Sequence, residues 1–351
     1  LKWIYKMFFY SLLRSLLFFF DPEISHRIII NYLKTIKVKK IKSYKVLQSN
    51  VFGLNFTNPI GIAAGFDKNA EVAHNLINLG FGFSEVGTVT PNPQPGNPKP
   101  RVFRLKDDEA IINRLGFNSD GFNVVKNRLK KIDNHIVGIN IGANKNSRDF
   151  SDDYIKGIKF FSTTASYITI NISSPNTPGL RELEVLDNLD VLLNKINDLG
   201  AEDLLIKTPI LLKISPDLET DHLKYLCDKV LSSKIDGLIV SNTTLSRNSI
   251  VSNSMEDGGL SGRPLFKIST NQLKKVYKYT DGKLPLIGVG GIDSAEKAYE
   301  KIKSGASLIQ LYTGLVYNGP DLIKDINKNL ALLLQRDGYN NIAEAVGVEV
   351  S

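Results

Sequence analysis

The residues with the clearest chemical potential lie at positions 171–180, NISSPNTPGL, directly after the apolar run at 167–170. This segment holds two serines, Ser173 and Ser174, but no histidine, cysteine or acidic residue. An isolated serine is a poor nucleophile and a worse base at neutral pH. The segment is therefore either a well-formed turn, or one serine is made useful by groups elsewhere in the chain.

Two lysines stand where an ammonium group is unusual. Lys213 lies in the apolar run LLKIS with no acid within two residues, and burying an unpaired ammonium is costly. It needs a salt bridge across the fold or an electron-rich ligand. We favour a cofactor that accumulates negative charge, as reduced flavin does near N1. Lys68 follows AAGFD, and neighbours on a strand point to opposite faces, so we expect it to bind a substrate anion instead of Asp67.

Four asparagines can each donate and accept hydrogen bonds: Asn113, Asn171, Asn176 and Asn242. Together they suit a planar, amide-rich ligand that carries a carboxylate. Each asparagine taken alone is equally consistent with a turn, because its side chain can bond to the nearby backbone.

Short apolar, β-branched runs recur along most of the chain and alternate with helical patterns. They lie at residues 60–66, 83–89, 135–141, 167–173, 210–215, 237–242, 286–291 and 308–314. Such runs are typical of fully buried strands. Eight consecutive β-then-α units predict an α/β fold of the (β/α)8 (TIM) barrel type, with a doubly wound open sheet as the alternative. The long interval after the second run contains RVFRL and AIINRL, which predict a small hairpin on top of the barrel.

The polar residues fall at the ends of these runs, and in such barrels the chemistry takes place at the carboxyl ends of the strands. The last two runs end in VGGI and YTG. Loops after strands 7 and 8 often bind phosphate through backbone N–H groups. We therefore expect a phosphorylated, nucleotide-like cofactor at this end.

The N-terminal segment has a different composition. The apolar run 7–20 is too short to span a bilayer, is interrupted by Arg14, and lacks a following signal-peptide cleavage site. Asp21 is a good N-cap for a second helix. We predict helices at about 3–19 and 22–36, whose apolar faces pack on the body or lie in a membrane interface.

The bulk composition bounds the remaining possibilities. The 351 residues include 42% hydrophobic residues, which is enough for a sizeable core. One cysteine excludes an internal disulfide, and the four histidines show no metal-binding spacing, so we expect no metal. The net charge is +8, and lysines cluster at 34–45 without any nucleic-acid motif. This run suits an anionic membrane surface, or equally a solvated loop.

Several of these motifs together resemble dihydroorotate dehydrogenases, specifically the quinone-dependent, membrane-associated class. The matching segments are NPIGIAAGFDKN, GTVTPNPQPGNPKPRVFRL, INRLGFNSDG, NISSPNTPGLR, SNTT, GGLSGRP and GVGGI, in this order. The resemblance runs from about residue 21 to residue 319. It implies an N-terminal helical membrane and quinone-tunnel segment at 1–40 and an FMN-binding barrel at 41–351.

The resemblance also implies roles for individual residues. FMN is expected to contact Ala63, Ala64, Gly65, Asp67, Thr88, Asn140, Asn171, Lys213, Ser241, Gly262, Gly291, Tyr312 and Thr313. Substrate is expected to contact Lys68, Asn113, Arg114, Leu115, Gly116, Phe117, Asn171, Asn176, Asn242 and Thr243. Ser174 matches the catalytic base, where the cytosolic classes have cysteine. His26 and Arg104 match polar residues of the quinone tunnel.

The activity implied is oxidation of (S)-dihydroorotate to orotate in pyrimidine (UMP) biosynthesis, with hydride passing to FMN and a membrane quinone as acceptor. We expect a monomer that lies peripherally on the cytoplasmic side of a cell inner membrane, with the mitochondrial inner membrane as the alternative. Two other interpretations stay open: a cytosolic-type dehydrogenase that uses fumarate or NAD, and a non-enzymatic barrel that docks on a membrane.

Overall fold

The computed structural model describes residues 2–36, 43–132, 134–176, 179–184, 186–199 and 207–350. Most of the lysine cluster expected to meet a membrane, including Lys37, Lys39, Lys40 and Lys42, lies outside the described residues, as does the proposed boundary at residue 40.

Eight parallel strands form a closed barrel, which confirms the predicted (β/α)8 class and excludes an open doubly wound sheet. The described strands are β1 (Ser49–Val51), β2 (Leu54–Phe56), β3 (Ile60–Ile62), β4 (Phe83–Val89), β5 (Val102–Leu105), β6 (Ala110–Asn113), β7 (Val137–Ile141), β8 (Tyr167–Asn171), β9 (Ile210–Ile214), β10 (Gly237–Val240), β11 (Gly259–Gly262), β12 (Leu286–Val289) and β13 (Ala306–Leu311). Around the barrel the order is β3-β4-β7-β8-β9-β10-β12-β13, and β13 pairs with β3 to close it.

Helices surround the barrel between its strands. The described α-helices are α1 (Lys2–Phe19), α2 (Pro22–Thr35), α3 (Ala73–Asn78), α4 (Phe122–Leu129), α5 (Phe150–Phe161), α6 (Leu186–Asp198), α7 (Thr220–Leu231), α8 (Leu265–Tyr279), α9 (Ala295–Lys303), α10 (Thr313–Asn318) and α11 (Asp321–Arg336). Short 3-10 turns add Lys45–Leu47, Leu180–Glu184 and Ile342–Ala345.

Two small sheets close the two ends of the barrel. The antiparallel hairpin β1–β2 packs Val51 and Phe56 against residues at the strand starts, such as Phe83 and Tyr167, and so plugs the amino-terminal end. The predicted hairpin is β5–β6, and β11 joins it as a third antiparallel strand. The sequence did not indicate β11, because its GLSG sequence has little β propensity.

The N-terminal helices are present within one or two residues of their predicted bounds, and Asp21 caps α2 by accepting from Glu23 N and Ile24 N. Helix α1 is fastened to α10 where Tyr10 Oη donates to Val316 O (2.9 Å). The outer face leaves large apolar side chains exposed: Leu12, Leu16, Phe19, Phe20, Ile24 and Ile28. No helix in the described part of the chain has the length and apolar character needed to cross a bilayer.

The lower barrel interior pairs glycines with aromatic rings. A Cβ built on Gly61 would stand 2.3 Å from the Phe83 ring, and one on Gly138 would stand 2.1 Å from the Tyr167 ring. Both rings are fully buried. Glycine on one strand therefore makes room for the large ring on the next.

Replacing Gly138 by alanine forces the Tyr167 ring to shift within a close-packed core. We expect the variant to lose about 1–3 kcal/mol of the free energy of unfolding, the usual cost of overpacking. Urea denaturation measures this, with the exposed Val124→Ala as the control. A Gly138→Ala variant as stable as the wild type would show that the ring is not held tightly.

Candidate active site

A cavity of about 180 Å³ lies at the carboxyl ends of the barrel strands, beneath the β5–β6–β11 sheet. Most residues predicted for cofactor, substrate and catalysis line it. From the cofactor set these are Ala63, Ala64, Gly65, Thr88, Asn171, Lys213, Ser241, Gly262, Gly291, Tyr312 and Thr313. From the substrate set and the predicted base they are Lys68, Asn113, Leu115, Gly116, Phe117, Asn171, Asn176, Asn242, Thr243 and Ser174.

Asp67 and Asn140 lie behind the cavity wall and do not line it. The Asp67 carboxylate accepts from Glu71 N (2.7 Å) and Val72 N (2.8 Å), and burial raises its pKa to about 6. Asp67 and Lys68 were expected to point to opposite faces of a strand, but both lie in the loop that follows β3, so the alternation of a strand does not apply to them. The separation itself is correct, because the Asp67 carboxylate is bound to backbone N–H groups.

Arg114 also does not line the cavity. Its guanidinium forms a salt bridge with Glu256 (2.7 Å), donates to Asp257 O, and lies over the Phe103 ring. It therefore fastens the predicted substrate segment 113–117 to the chain around residue 256.

Lys213 is buried on β9 and forms no salt bridge with a described acid. Glu85 acts on it through its charge, but the Glu85 carboxylate is used by Asn140 Nδ2 (2.8 Å), Tyr167 Oη (3.0 Å) and Gln310 Nε2 (2.7 Å). Burial lowers the pKa of Lys213, and the charge of Glu85 opposes this. The salt-bridge alternative is thus not realised, and a cation faces the cavity.

Lys68 places a second ammonium group at the cavity. It is partly buried, and burial lowers its pKa to about 8. The positive charge of Arg101 contributes to this lowering of the pKa, and the negative charge of Glu23 opposes it. An anion bound in the cavity would favour the charged form of Lys68.

A continuous hydrogen-bond network connects the polar residues of the strand ends. Thr88 Oγ1 donates to Asn140 Oδ1 (2.6 Å), and Asn171 Nδ2 donates to Thr88 Oγ1 (3.0 Å). Asn242 Nδ2 donates to Ser173 Oγ (2.9 Å), which itself donates to Asn171 Oδ1 (3.2 Å). The amide groups are thereby held in fixed orientations.

The two serines of segment 171–180 differ in their hydrogen bonding. Ser173 is fully buried and both donates and accepts within the network. Ser174 lines the cavity, and its Oγ accepts only a long bond from Asn176 N (3.3 Å) among the described residues. Of the two, Ser174 is the hydroxyl that faces the cavity.

His26 and Arg104 lie at the junction with the N-terminal helices. His26 meets the Phe66 ring edge-on (5.2 Å between centroids), and Phe66 meets Tyr312 of the cavity (5.5 Å). Burial, and then the charge of Lys68, lower the pKa of His26 to about 4. Arg104 Nη1 donates to Leu17 O and Phe20 O at the end of α1. Neither side chain lines the cavity.

Comparisons with known proteins agree with this geometry. The family model for dihydroorotate dehydrogenase matches residues 46–334. The chain belongs to the dihydroorotate dehydrogenase family. It is 51% identical over 345 residues to the dihydroorotate dehydrogenase (quinone) of Bartonella tribocorum, with 96% of each chain covered. The corresponding protein of Parvibaculum lavamentivorans is 49% identical, over 97% of this chain and 99% of the relative.

Solved structures of the family share the same architecture. The ligand-free Eimeria tenella enzyme superposes with a TM-score of 0.89 at 39% identity, over 94% of this chain and 100% of the other. Its complex with ferulenol superposes with a TM-score of 0.86 at 40% identity, over 94% of this chain and 96% of the other. Dihydroorotate dehydrogenases are flavoprotein oxidoreductases, and the chain is an enzyme of this class.

The cavity suits the phosphate of a flavin at the end formed by the loops after β12 and β13. Gly290 (φ +108°) and Gly291 (φ +71°) adopt conformations that L side chains rarely take, and their N–H groups donate to no described residue. Nearby, α10 begins at Thr313, where the first N–H groups of a helix lack internal partners. These donors fit an anionic group.

Sequence reasoning missed the apolar walls of the cavity, together with Ser261. The missed residues are Val102, Ile111, Pro175, Ser261, Leu265, Val289, Ile292 and Leu311. Val102 and Ile111 lie on the β5–β6 hairpin. Because side chains alternate between the two faces of a strand, the sequence could have identified them only if the face that points toward the barrel had been known. Ser261 lies in the GGLSGRP segment beside the predicted Gly262, and β11 places its hydroxyl 2.8 Å from Thr313 Oγ1.

Buried Glu184, in the 3-10 turn Leu180–Glu184 after Ser174, should make the stability of the protein depend on pH. Its carboxyl accepts from Ser215 N (2.6 Å), and burial raises its pKa to about 8, although that bond opposes the rise. Between its ordinary pKa of 4.5 and about 8, the folded state binds more protons than the unfolded chain. Stability from this group is therefore present at low pH and lost as pH rises through that window.

Glu184→Gln removes this titration and keeps an acceptor for Ser215 N. We expect the free energy of unfolding of this variant to fall less steeply from pH 5 to 8 than that of the wild type. The two slopes should differ by on the order of 1 kcal/mol per pH unit. Urea denaturation at several pH values tests this, with the exposed Glu300→Gln as the control. Equal slopes in wild type and Glu184→Gln would contradict a buried, proton-binding Glu184.

Proposed function

We propose that this protein oxidises (S)-dihydroorotate to orotate with FMN as cofactor and a membrane quinone as electron acceptor, a step in pyrimidine biosynthesis. The observation that carries the proposal is the convergence of Ser174, Lys68 and Lys213, from three different strand ends, on one cavity. The quinone class of the relatives supports the choice of acceptor.

We assign the glycine-rich side of the cavity to FMN, which when bound supplies an acceptor for hydride and passes electrons to quinone. Gly262, Gly290 and Gly291 would take the phosphate end. Lys213 would offer its ammonium group to the charge that reduction places on the ring system. A preorganised cation in a site that excludes water stabilises such charge far better than it would in water.

The opposite side of the cavity suits the substrate. Lys68 would bind the carboxylate, and the asparagines, with both donor and acceptor groups, would pair with the amide edges of the ring. Because the network fixes Asn171 and Asn242, little freedom is lost when substrate binds.

Ser174 is the group to which we assign removal of the C5 proton. Its Oγ lines the cavity without a strong bond to a described residue, whereas Ser173 is held by the network. The C5 proton would be taken at Ser174 Oγ as the hydroxyl releases its own proton to water, and hydride would leave C6 for the flavin, so that a double bond forms between these carbons.

The N-terminal helices would serve quinone and the membrane surface. Their exposed apolar side chains suit the interfacial region of a bilayer, and the contacts from His26 through Phe66 to Tyr312 lead from α2 to the cavity. A peripheral position on the inner membrane follows. The fumarate or NAD alternative fits less well, because it leaves the helix pair without a role and meets serine where that class has cysteine.

Ser174→Ala removes the proposed base but leaves the cavity otherwise intact. We expect the rate of flavin reduction by dihydroorotate to fall about 10²- to 10⁴-fold, the usual contribution of a general base, while flavin stays bound. Stopped-flow absorbance measures the rate, and Ser174→Cys, which keeps a proton acceptor, should retain part of it. Unchanged reduction in Ser174→Ala would remove Ser174 from the mechanism.

Lys213→Ala removes the buried cation. We expect slower flavin reduction, by about ten-fold or more, with a smaller change in the dissociation constant for orotate, because the cation acts on charge that develops in the reaction. The surface variant Lys224→Ala is the control. If flavin content and reduction rate both match wild type, Lys213 has no such role.

A further inference from the structure

The loop between β4 and β5 is closed by one buried guanidinium. Arg101 is 6% exposed, and its Nη1 donates to Pro95 O (2.7 Å) and Asn97 O (2.8 Å). Its backbone O also accepts from Arg114 N (2.8 Å). Arg101 therefore fixes the curvature of residues 95–101 against the segment that begins at Asn113.

The remaining donors of Arg101 reach the N-terminal helices. Its Nε and Nη2 donate to the Glu23 carboxylate at 2.9–3.2 Å, in a forked arrangement. Glu23 lies in the first turn of α2, where a negative charge is also favoured by the helix dipole. A buried guanidinium that loses its carboxylate partner is left uncompensated, so the two groups depend on each other.

The other side of the loop holds the predicted substrate segment. Asn97 Nδ2 donates to Arg114 O (3.0 Å) and to Asn176 O (3.1 Å), and Asn97 N donates to Leu115 O (3.0 Å). Gly116 has no room for a side chain, because a Cβ there would meet Asn97 at 2.7 Å. One asparagine thus fastens two separate parts of the substrate wall.

We propose that Glu23 and Arg101 are positioning residues for substrate: Glu23 on α2 orients Arg101, Arg101 shapes the loop, and Asn97 then holds the segment 113–117 and Asn176 against substrate. Docking of the N-terminal helix pair therefore contributes to dihydroorotate affinity as well as to quinone access. This inference rests on the proposed function, which assigns those residues to substrate.

Two other ion pairs serve as matched controls. Arg27 also joins α2 to the barrel, through Glu71 (2.8 Å), but that pair is distant in sequence from the loop 95–101 and more than half of the Arg27 side chain is exposed. Lys99 approaches Glu23 (3.7 Å) from an exposed position. We expect Arg27→Gln to weaken the docking of α2 and Lys99→Gln to change the local charge. Both variants should leave the hydrogen bonds of Arg101 in place.

The experiment measures KM for dihydroorotate with a water-soluble redox dye, which accepts electrons without a quinone tunnel, in Glu23→Gln, Asn97→Ala, Arg27→Gln and Lys99→Gln holoenzymes. We expect KM to rise about five-fold or more in Glu23→Gln and Asn97→Ala, with kcat changed less, and to stay at the wild-type value in the two controls. Equilibrium titration of bound flavin absorbance with orotate should show the same pattern. Arg101→Lys, which keeps the charge but loses the fork, should resemble Glu23→Gln.

A change in quinone KM alone for Glu23→Gln, with dye-linked KM and orotate affinity unchanged, would overturn the proposal and make Glu23 a residue of the quinone entrance only. Equal rises in Glu23→Gln and Arg27→Gln would also overturn it, because helix docking in general would then be responsible. Absence of any dihydroorotate oxidation by the wild type would instead contradict the proposed function itself. Melting temperatures of all variants identify any that fails to fold. If Glu23→Gln fails to fold, the dihydroorotate KM values of Asn97→Ala and Arg101→Lys test the proposal in its place.

Discussion

The pairing of β13 with β3 is the interaction on which the rest of the structure depends. The register of Ile309 with Ile60 closes eight parallel strands into one barrel, and closure brings the carboxyl ends of all of them around a single cavity. Residues as far apart in sequence as Lys68 and Thr313 thereby share one space. In an open sheet these ends would lie along one edge, and a ligand would bind in a crevice there instead of inside a closed ring of strands.

Closure also creates a problem of buried charge, which the barrel interior solves in two ways. The Glu85 side chain accepts three hydrogen bonds, from Asn140, Tyr167 and Gln310. Lys213 has no such partner among the described residues and faces the cavity. The barrel thus satisfies its internal acid with its own donors and leaves Lys213 facing the cavity, where it is available for a ligand.

The sequence predicted well what depends on local pattern. The starts of most barrel strands, the hairpin and both N-terminal helices follow from periodicity and capping, and the strand-end polar residues meet as expected. The predicted ends were less accurate: the run at 60–66 is a strand only to Ile62, because the chain turns at Gly65 (φ +108°) to line the cavity. Contacts between distant segments, such as Glu23 with Arg101, carry no periodic signal and could not be predicted from one sequence.

We propose above all that this cavity oxidises dihydroorotate and passes the electrons to quinone. The most direct measurement is anaerobic mixing of the purified, detergent-solubilised protein with dihydroorotate, followed by addition of a short-chain ubiquinone. We expect that dihydroorotate bleaches the flavin absorbance, that quinone restores it, and that orotate and quinol form in equal amounts. A flavin that dihydroorotate leaves unbleached, or a protein that binds no flavin at all, would contradict it.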